Sequence, residues 1–143
     1  MAARIVDLCD AVVALLPTGA ERVYEVSIDA ETLEGRAVYV FPSKYGYLEV
    51  LTRADDQSEY AVSVLIAERY PDAGPAPKAW LDERVEWVQD NVLDVLDDPR
   101  GAEPVEGYVP WQSEVQTVYD VEELVNRKLF LSVVVITYRQ FTG

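Results

Sequence analysis

Apolar residues open the chain at helical spacing. Ile5, Leu8, Cys9, Val12, Leu15 and Leu16 share one side while Asp7 and Asp10 take the other, which predicts an amphipathic helix over residues 3–16. Pro17, Thr18 and Gly19 end it. From residue 22 to 29 the period becomes two: Tyr24, Val26 and Ile28 alternate with Glu25, Ser27 and Asp29, the pattern of a half-buried strand. A polar stretch closing on Gly35 predicts a turn, and residues 37–41 are apolar on both faces, as in a central strand. Pro42 is expected to stop that strand, because proline has no N–H for the ladder, and residues 43–46 to make a second turn. A less regular third strand is expected over 47–53 and a polar hairpin loop over 54–58. A long fourth strand follows over 59–70, with Tyr60, Val62, Val64 and Ile66 on one face.

Three prolines and a glycine between residues 71 and 77 form a connector into the second periodic segment. Leu81, Val85, Val88, Val92, Val95 and Leu96 make a continuous stripe, predicting one long helix over 78–96. Trp80 and Trp87 flank that stripe; they either close the edge of the core or offer an aromatic contact to a partner. Residues 97–113 read as a long loop or arm, punctuated by Pro99, Gly101, Pro104, Gly107 and Pro110. Tyr108 and Trp111 within it mark the arm as a docking element. A fifth strand is expected over 114–119, and Asp120 with Glu123 has the order of a capping box opening a short helix to Arg127. Residues 128–141 are an unbroken run of β-branched and aromatic side chains, which fit a pleated surface and crowd a helix. This run is about twice the usual strand length and belongs either on a sheet edge, where it can pair with another chain, or in the buried centre.

The pattern as a whole predicts a single α+β domain over 1–143. Its expected architecture is an antiparallel meander sheet of five to six strands packed against the N-terminal helix and one long central helix. At 143 residues a self-supporting core is within reach. Charge changes the picture more than size does. Twelve basic residues stand against 26 acidic ones, a net charge of −14, so the surface repels phosphates and anionic lipid headgroups. The lone Cys9 excludes an intrachain disulfide and, on the apolar side of a helix, is expected to be a buried, inert thiol. No apolar segment has the form of a signal peptide or a spanning helix, and the expected location is a cytosol.

Little chemistry is on offer. With no histidine the commonest general base and metal ligand are missing, and no base lies near Cys9 in sequence to activate it. Neither type of glycine-rich phosphate cradle occurs. Asp55-Asp56, Asp82-Glu83 and Asp97-Asp98 are paired acids without the alternating spacing of a calcium loop. No catalytic residue, metal or cofactor is therefore expected. Three accounts of the acidity remain open: solubility, a surface past which DNA slides without sticking, or mimicry of DNA itself.

Particular stretches carry a family resemblance. These are Gly35-Arg36-Ala37-Val38-Tyr39-Val40-Phe41-Pro42, Tyr60-Ala61-Val62-Ser63-Val64 leading to Glu68-Arg69-Tyr70, and Leu129-Phe130-Leu131-Ser132-Val133 through Tyr138-Arg139. Together with the order of elements, they make the chain resemble the tail terminator proteins of long-tailed bacteriophages, also called tail completion or head–tail joining proteins. The resemblance implies a homohexameric ring that caps the tail tube and meets the head connector or stopper, assembled in the host cytoplasm into the virion neck, with viral DNA passing its bore unbound. Rings of this kind close through heterologous contacts. On that basis the expected contact residues are Tyr108, Trp111, Phe130, Val134, Ile136, Tyr138 and Phe141, and the expected channel-facing acids are Asp55, Asp56 and Glu59. Competing readings are another neck adaptor or stopper, an acidic DNA-mimic inhibitor, and a small carboxylate enzyme.

Overall fold

The computed structural model describes residues 4–16, 19–24, 26, 28, 31, 33–47, 57–96 and 108–141. Two thirteen-residue strands, β3 (Gln57–Arg69) and β5 (Leu129–Phe141), pair antiparallel along their whole length, from Gln57 opposite Phe141 to Arg69 opposite Leu129. β2 (Arg36–Tyr47) flanks β3, and β4 (Tyr108–Thr117) flanks β5, both antiparallel. The three-residue β1 (Ala20–Arg22) joins β2 in parallel, which gives the order β1-β2-β3-β5-β4. The α+β class holds. The all-antiparallel meander does not: the sheet is mixed, and its last strand is inserted between β3 and β4 rather than added at the end.

Two expected strands change shape. The period-two segment over 22–29 pairs only as far as Arg22, after which Val26 and Ile28 pack on the sheet without joining its ladder. Val26 and Ile28 both lie against the core, a burial pattern that a paired strand shares. Pro42 does not stop β2. A register shift between Pro42 and Lys44 accommodates the proline, and the strand continues to Tyr47. The expected strand over 47–53 and the hairpin loop over 54–58 lie almost wholly outside the described residues, which resume at Gln57 within β3.

The central helix is likewise not one uniform helix. α2 (Lys78–Val88) runs into a π-helical turn (Gln89–Leu93) and then α3 (Asp94–Leu96). Val88, Val92 and Leu96 are all buried at four-residue intervals. That repeat exceeds the 3.6 residues per turn of an α-helix, and the wider π turn takes up the difference. α1 (Arg4–Leu15) buries Leu8, Cys9 and Val12 against the same sheet face. There both helices meet Val38 and Val40 of β2, Val62, Val64 and Ile66 of β3, and Phe130, Val134, Ile136 and Tyr138 of β5. On the opposite face Leu65, Ala67 and Leu129 are covered by Val26, Ile28 and Leu33. The middle stretches of β3 and β5 are thus buried on both faces, which is why they are mostly apolar there, with Ser63 and Ser132 as small buried polar residues.

The short helix follows its cap. α4 (Val121–Arg127) begins at Asp120, whose side chain accepts a hydrogen bond from the Glu123 N–H at 3.1 Å. The Asp120 N–H donates instead to the Leu131 carbonyl at 3.0 Å, and the Glu123 carboxylate pairs with Arg127 at 2.9 Å. Only half of the reciprocal box therefore forms. Lys128 ends the helix in the left-handed region (φ 53°), turning the chain into β5.

Candidate assembly surface

The C-terminal strand is not an edge. β5 has a partner on each side, and Phe130, Val134, Ile136 and Tyr138 are fully buried in the protomer's own core. The structure thereby corrects their placement on a contact surface: both faces and both backbone edges of β5 are already occupied. Phe141 closes the strand opposite Gln57. The other predicted contact residues sit elsewhere than expected. Tyr108 and Trp111 belong to β4, so the arm read over 97–113 is strand from Tyr108 onward, and residues 97–107 lie outside the described residues. Tyr108 pairs with Gln140, and Trp111 falls at a register shift between Pro110 and Gln112. Of the expected channel acids, Asp55 and Asp56 lie outside the described residues. Glu59 sits within β3, its backbone between Gly46 and Arg139.

Among the described residues, β4 has a partner on one side only, so the sheet's long terminal strand is this one. At the end of β4 and along α4 the molecule exposes apolar side chains that sequence patterning did not single out: Val115, Val118, Tyr119, Val121 and Val125. Val118 is 49% exposed and Val125 72%. Val115 and Val118 line one groove together, and apolar residues exposed side by side mark an interaction site. Period alone could not find them, since Val115 and Val118 look like core positions of a strand and Val121 and Val125 like the apolar stripe of α4. The signal that could have found Val121 and Val125 is the length of α4, seven residues with three charged ones among them, too short to bury two valines on one side.

Between β4 and the central helix runs a groove of about 130 Å3. Val85, Val88, Gln89 and Leu93 form the helix wall, and Val115, Val118 and Ser132 the sheet wall. The π turn contributes Gln89 and Leu93 to it. π turns recur at functional sites because they re-aim side chains that a regular helix would place elsewhere. Glu86, Asp90 and Asp94 are exposed along the same helix at four-residue intervals, which makes its outer side a row of carboxylates. The Gln89 side-chain amide donates to Asp94 at 2.7 Å and holds that row in place.

Several of the described cations pin segments together. A concavity of about 740 Å3 gathers Arg69, Arg127 and Lys128. Each donates to a backbone carbonyl: Arg69 to Glu31 at 3.2 Å, Arg127 to Ile28 at 2.6 Å and Lys128 to Asp72 at 2.8 Å. The two arginines thereby tie the irregular segment around Ile28 to the ends of β3 and α4. Trp80 and Trp87 close the edge of the core, Trp80 meeting Phe130 edge-on at 6.4 Å and Tyr70 at 5.2 Å. Cys9 is fully buried, and burial pushes its thiol up to about 11, which leaves almost no thiolate for nucleophilic chemistry.

Among the described residues no three Asp, Glu, Cys or His side chains are grouped as metal ligands, and no helix is long and apolar enough to cross a membrane. What the described surface offers is an apolar groove, an open strand edge and a row of acids, a set suited to contact with another chain. No protein-family model and no curated protein matches the sequence. Among solved structures, the chain is similar to the sheath/tube terminator of an extracellular contractile injection system (PVC), determined by cryo-EM in the extended state. The identity is 15% and the TM-score 0.47, over 100% of this chain and 58% of that one. This chain therefore spans less than two thirds of that terminator, and a likeness at this level does not assign it to a family.

Proposed function

We propose that this chain is a structural subunit that acts by assembly and not by turnover, as a tail-terminator-like protein that closes the end of a tube. The observation that carries the reading is β4, which among the described residues has a partner on one side only, with Val115 and Val118 exposed beside it. A surface of this kind in water is stabilised when another chain covers it. In finer detail, the reading has copies forming a closed homohexameric ring, one face on the tube and the other toward the head connector or stopper. Acids including Asp55, Asp56 and Glu59 then line the bore, where like charge keeps passing DNA from sticking. The resemblance in sequence organisation supports the terminator role, and the net charge of −14 suits a bore that DNA must traverse.

The experiment is electron microscopy of particles assembled without this protein, together with mass measurement of the purified chain in the presence of isolated tube ends. Overlong tails lacking heads, and a six-copy complex on the tube, are the expected results. Normal tails in its absence would defeat the reading.

A second reading, a DNA mimic, is favoured by one feature, the exposed row of Glu86, Asp90 and Asp94. It requires a monomer or dimer that binds a DNA-binding protein and is displaced by salt.

A further inference from the structure

We propose that the groove between β4 and the central helix receives an extended segment of a different protein, apolar at alternate positions and carrying Lys or Arg between them. The inference deepens the assembly reading and rests on it, by naming the chemistry of what this surface takes. Three observations converge on it.

The first is the strand edge. Gln112, Ser113, Glu114 and Val115 pair with Thr137, Ile136, Val135 and Val134 in unbroken register between the two shifts of β4. In an antiparallel pair every second residue turns its N–H and C=O away from the partner, so this regular stretch offers ladder positions to an incoming strand. No Lys or Arg occurs between Tyr108 and Thr117, and the proline and register shifts that discourage pairing lie at either end of this stretch, leaving Glu114 as its one charge, which attracts a basic strand.

The second is the groove. A strand added beside Val115 lies over the space between Val85, Leu93, Val115 and Val118, and 130 Å3 takes an apolar side chain from it. Alternate residues of a strand point to one face, so one set enters the groove while the other faces away.

The third is charge, and it selects the occupant. Glu86, Asp90 and Asp94 line the helix side. A second copy of this chain, with 26 acids against 12 bases, brings acid to acid at such a rim. A basic, apolar segment brings complementary charge and displaces water from the exposed valines at the same time.

Fluorescence anisotropy with labelled synthetic peptides tests this on the full chain. The probes are an alternating Lys-Val hexamer, a Lys-Ser hexamer with the same charge, a Glu-Val hexamer with the same apolar residues, and a Lys-Val hexamer N-methylated at alternate residues. The Lys-Val peptide is expected to bind at least about tenfold more tightly than the other three. Val118→Asp, at a position half exposed in the fold, should weaken it by about tenfold. Equal binding of the Lys-Ser peptide would mean that charge alone acts, and equal binding of the methylated peptide that no strand is added; either result overturns the proposal. So does self-association of the free chain that Val118→Asp abolishes, since a second copy is then the occupant. A chain that forms rings on tube ends yet ignores the Lys-Val peptide defeats this inference alone. One that binds the peptide but never forms rings supports it and defeats the ring.

Discussion

Arg84 grips Glu68 with two donors, Nη2 at 2.7 Å and Nε at 3.0 Å from the same carboxylate oxygen, and so clamps α2 to the end of β3. The other Glu68 oxygen lies 3.0 Å from Nε of Arg36 on β2. Each guanidinium in turn lies over an indole of α2, Arg84 at 4.2 Å from the Trp80 ring centre and Arg36 at 4.1 Å from that of Trp87. The result is a chain of five side chains, Trp87, Arg36, Glu68, Arg84 and Trp80, that joins two strands to the helix forming one wall of the groove.

Glu68→Gln should therefore destabilise the fold by about 2 kcal/mol, because it leaves two half-buried guanidinium groups facing a neutral amide. Glu68 and Arg84 are only 12% and 16% exposed, so solvent screens their pairing weakly. Urea denaturation checks this. A shift in midpoint without a change in slope is the expected form, since the compactness of the unfolded chain is untouched.

The Cys9 thiol should resist modification in the folded protein. Its value is raised to about 11 from the ordinary 9.0, chiefly because burial disfavours the thiolate. A disulfide-exchange reagent at pH 8 should label it slowly in buffer and at once in denaturant. The same shift has a consequence for stability. The folded state holds the proton more tightly than the unfolded chain, so its contribution is complete below pH 9 and is lost as the pH rises from 9 to 11. Chemical denaturation of Cys9→Ala beside the parent across that range checks the sign: the parent alone should lose the contribution tied to the thiol.

Core and contact residues should separate cleanly in a mutational series. Phe130→Ala and Ile136→Ala remove fully buried side chains and should each cost about 3 kcal/mol or more. Val125→Asp, at a site 72% exposed, should change stability by no more than about 0.5 kcal/mol while weakening assembly on a tube. Thermal melts paired with a mass measurement on tube ends would read both effects. Loss of stability in Val125→Asp comparable to that in Phe130→Ala would show α4 to be buried where the structure exposes it.

The elements legible from sequence were those whose cause is local. The period of the first sixteen residues and the apolar stripe from Leu81 to Leu96 report faces that each segment turns to a core, whatever that core is. Asp120 caps α4 through a contact three residues away, which the spacing alone predicts. The β-branched composition of residues 128–141 excludes a helix by crowding its own backbone.

What the sequence left open depended on contacts distant along the chain. Whether residues 129–141 lie at an edge or at the centre is decided by β4 folding onto them, and a strand buried on both faces has the same composition in either place. The candidate site moved for that reason: Phe130, Val134, Ile136 and Tyr138 went to the interior, and the edge passed to the strand that carries Tyr108 and Trp111. Residues 22–29 could read as a strand because alternation records burial, yet the backbone ladder to β2 ends with the Val23 N–H on the Val40 carbonyl, and Val26 and Ile28 pack on the sheet by their side chains alone. Composition and period thus determine which residues turn inward and in what local form. Only the packed sheet decides which backbone remains unpaired, because hydrogen-bond partners come from segments whose sequences carry no record of each other.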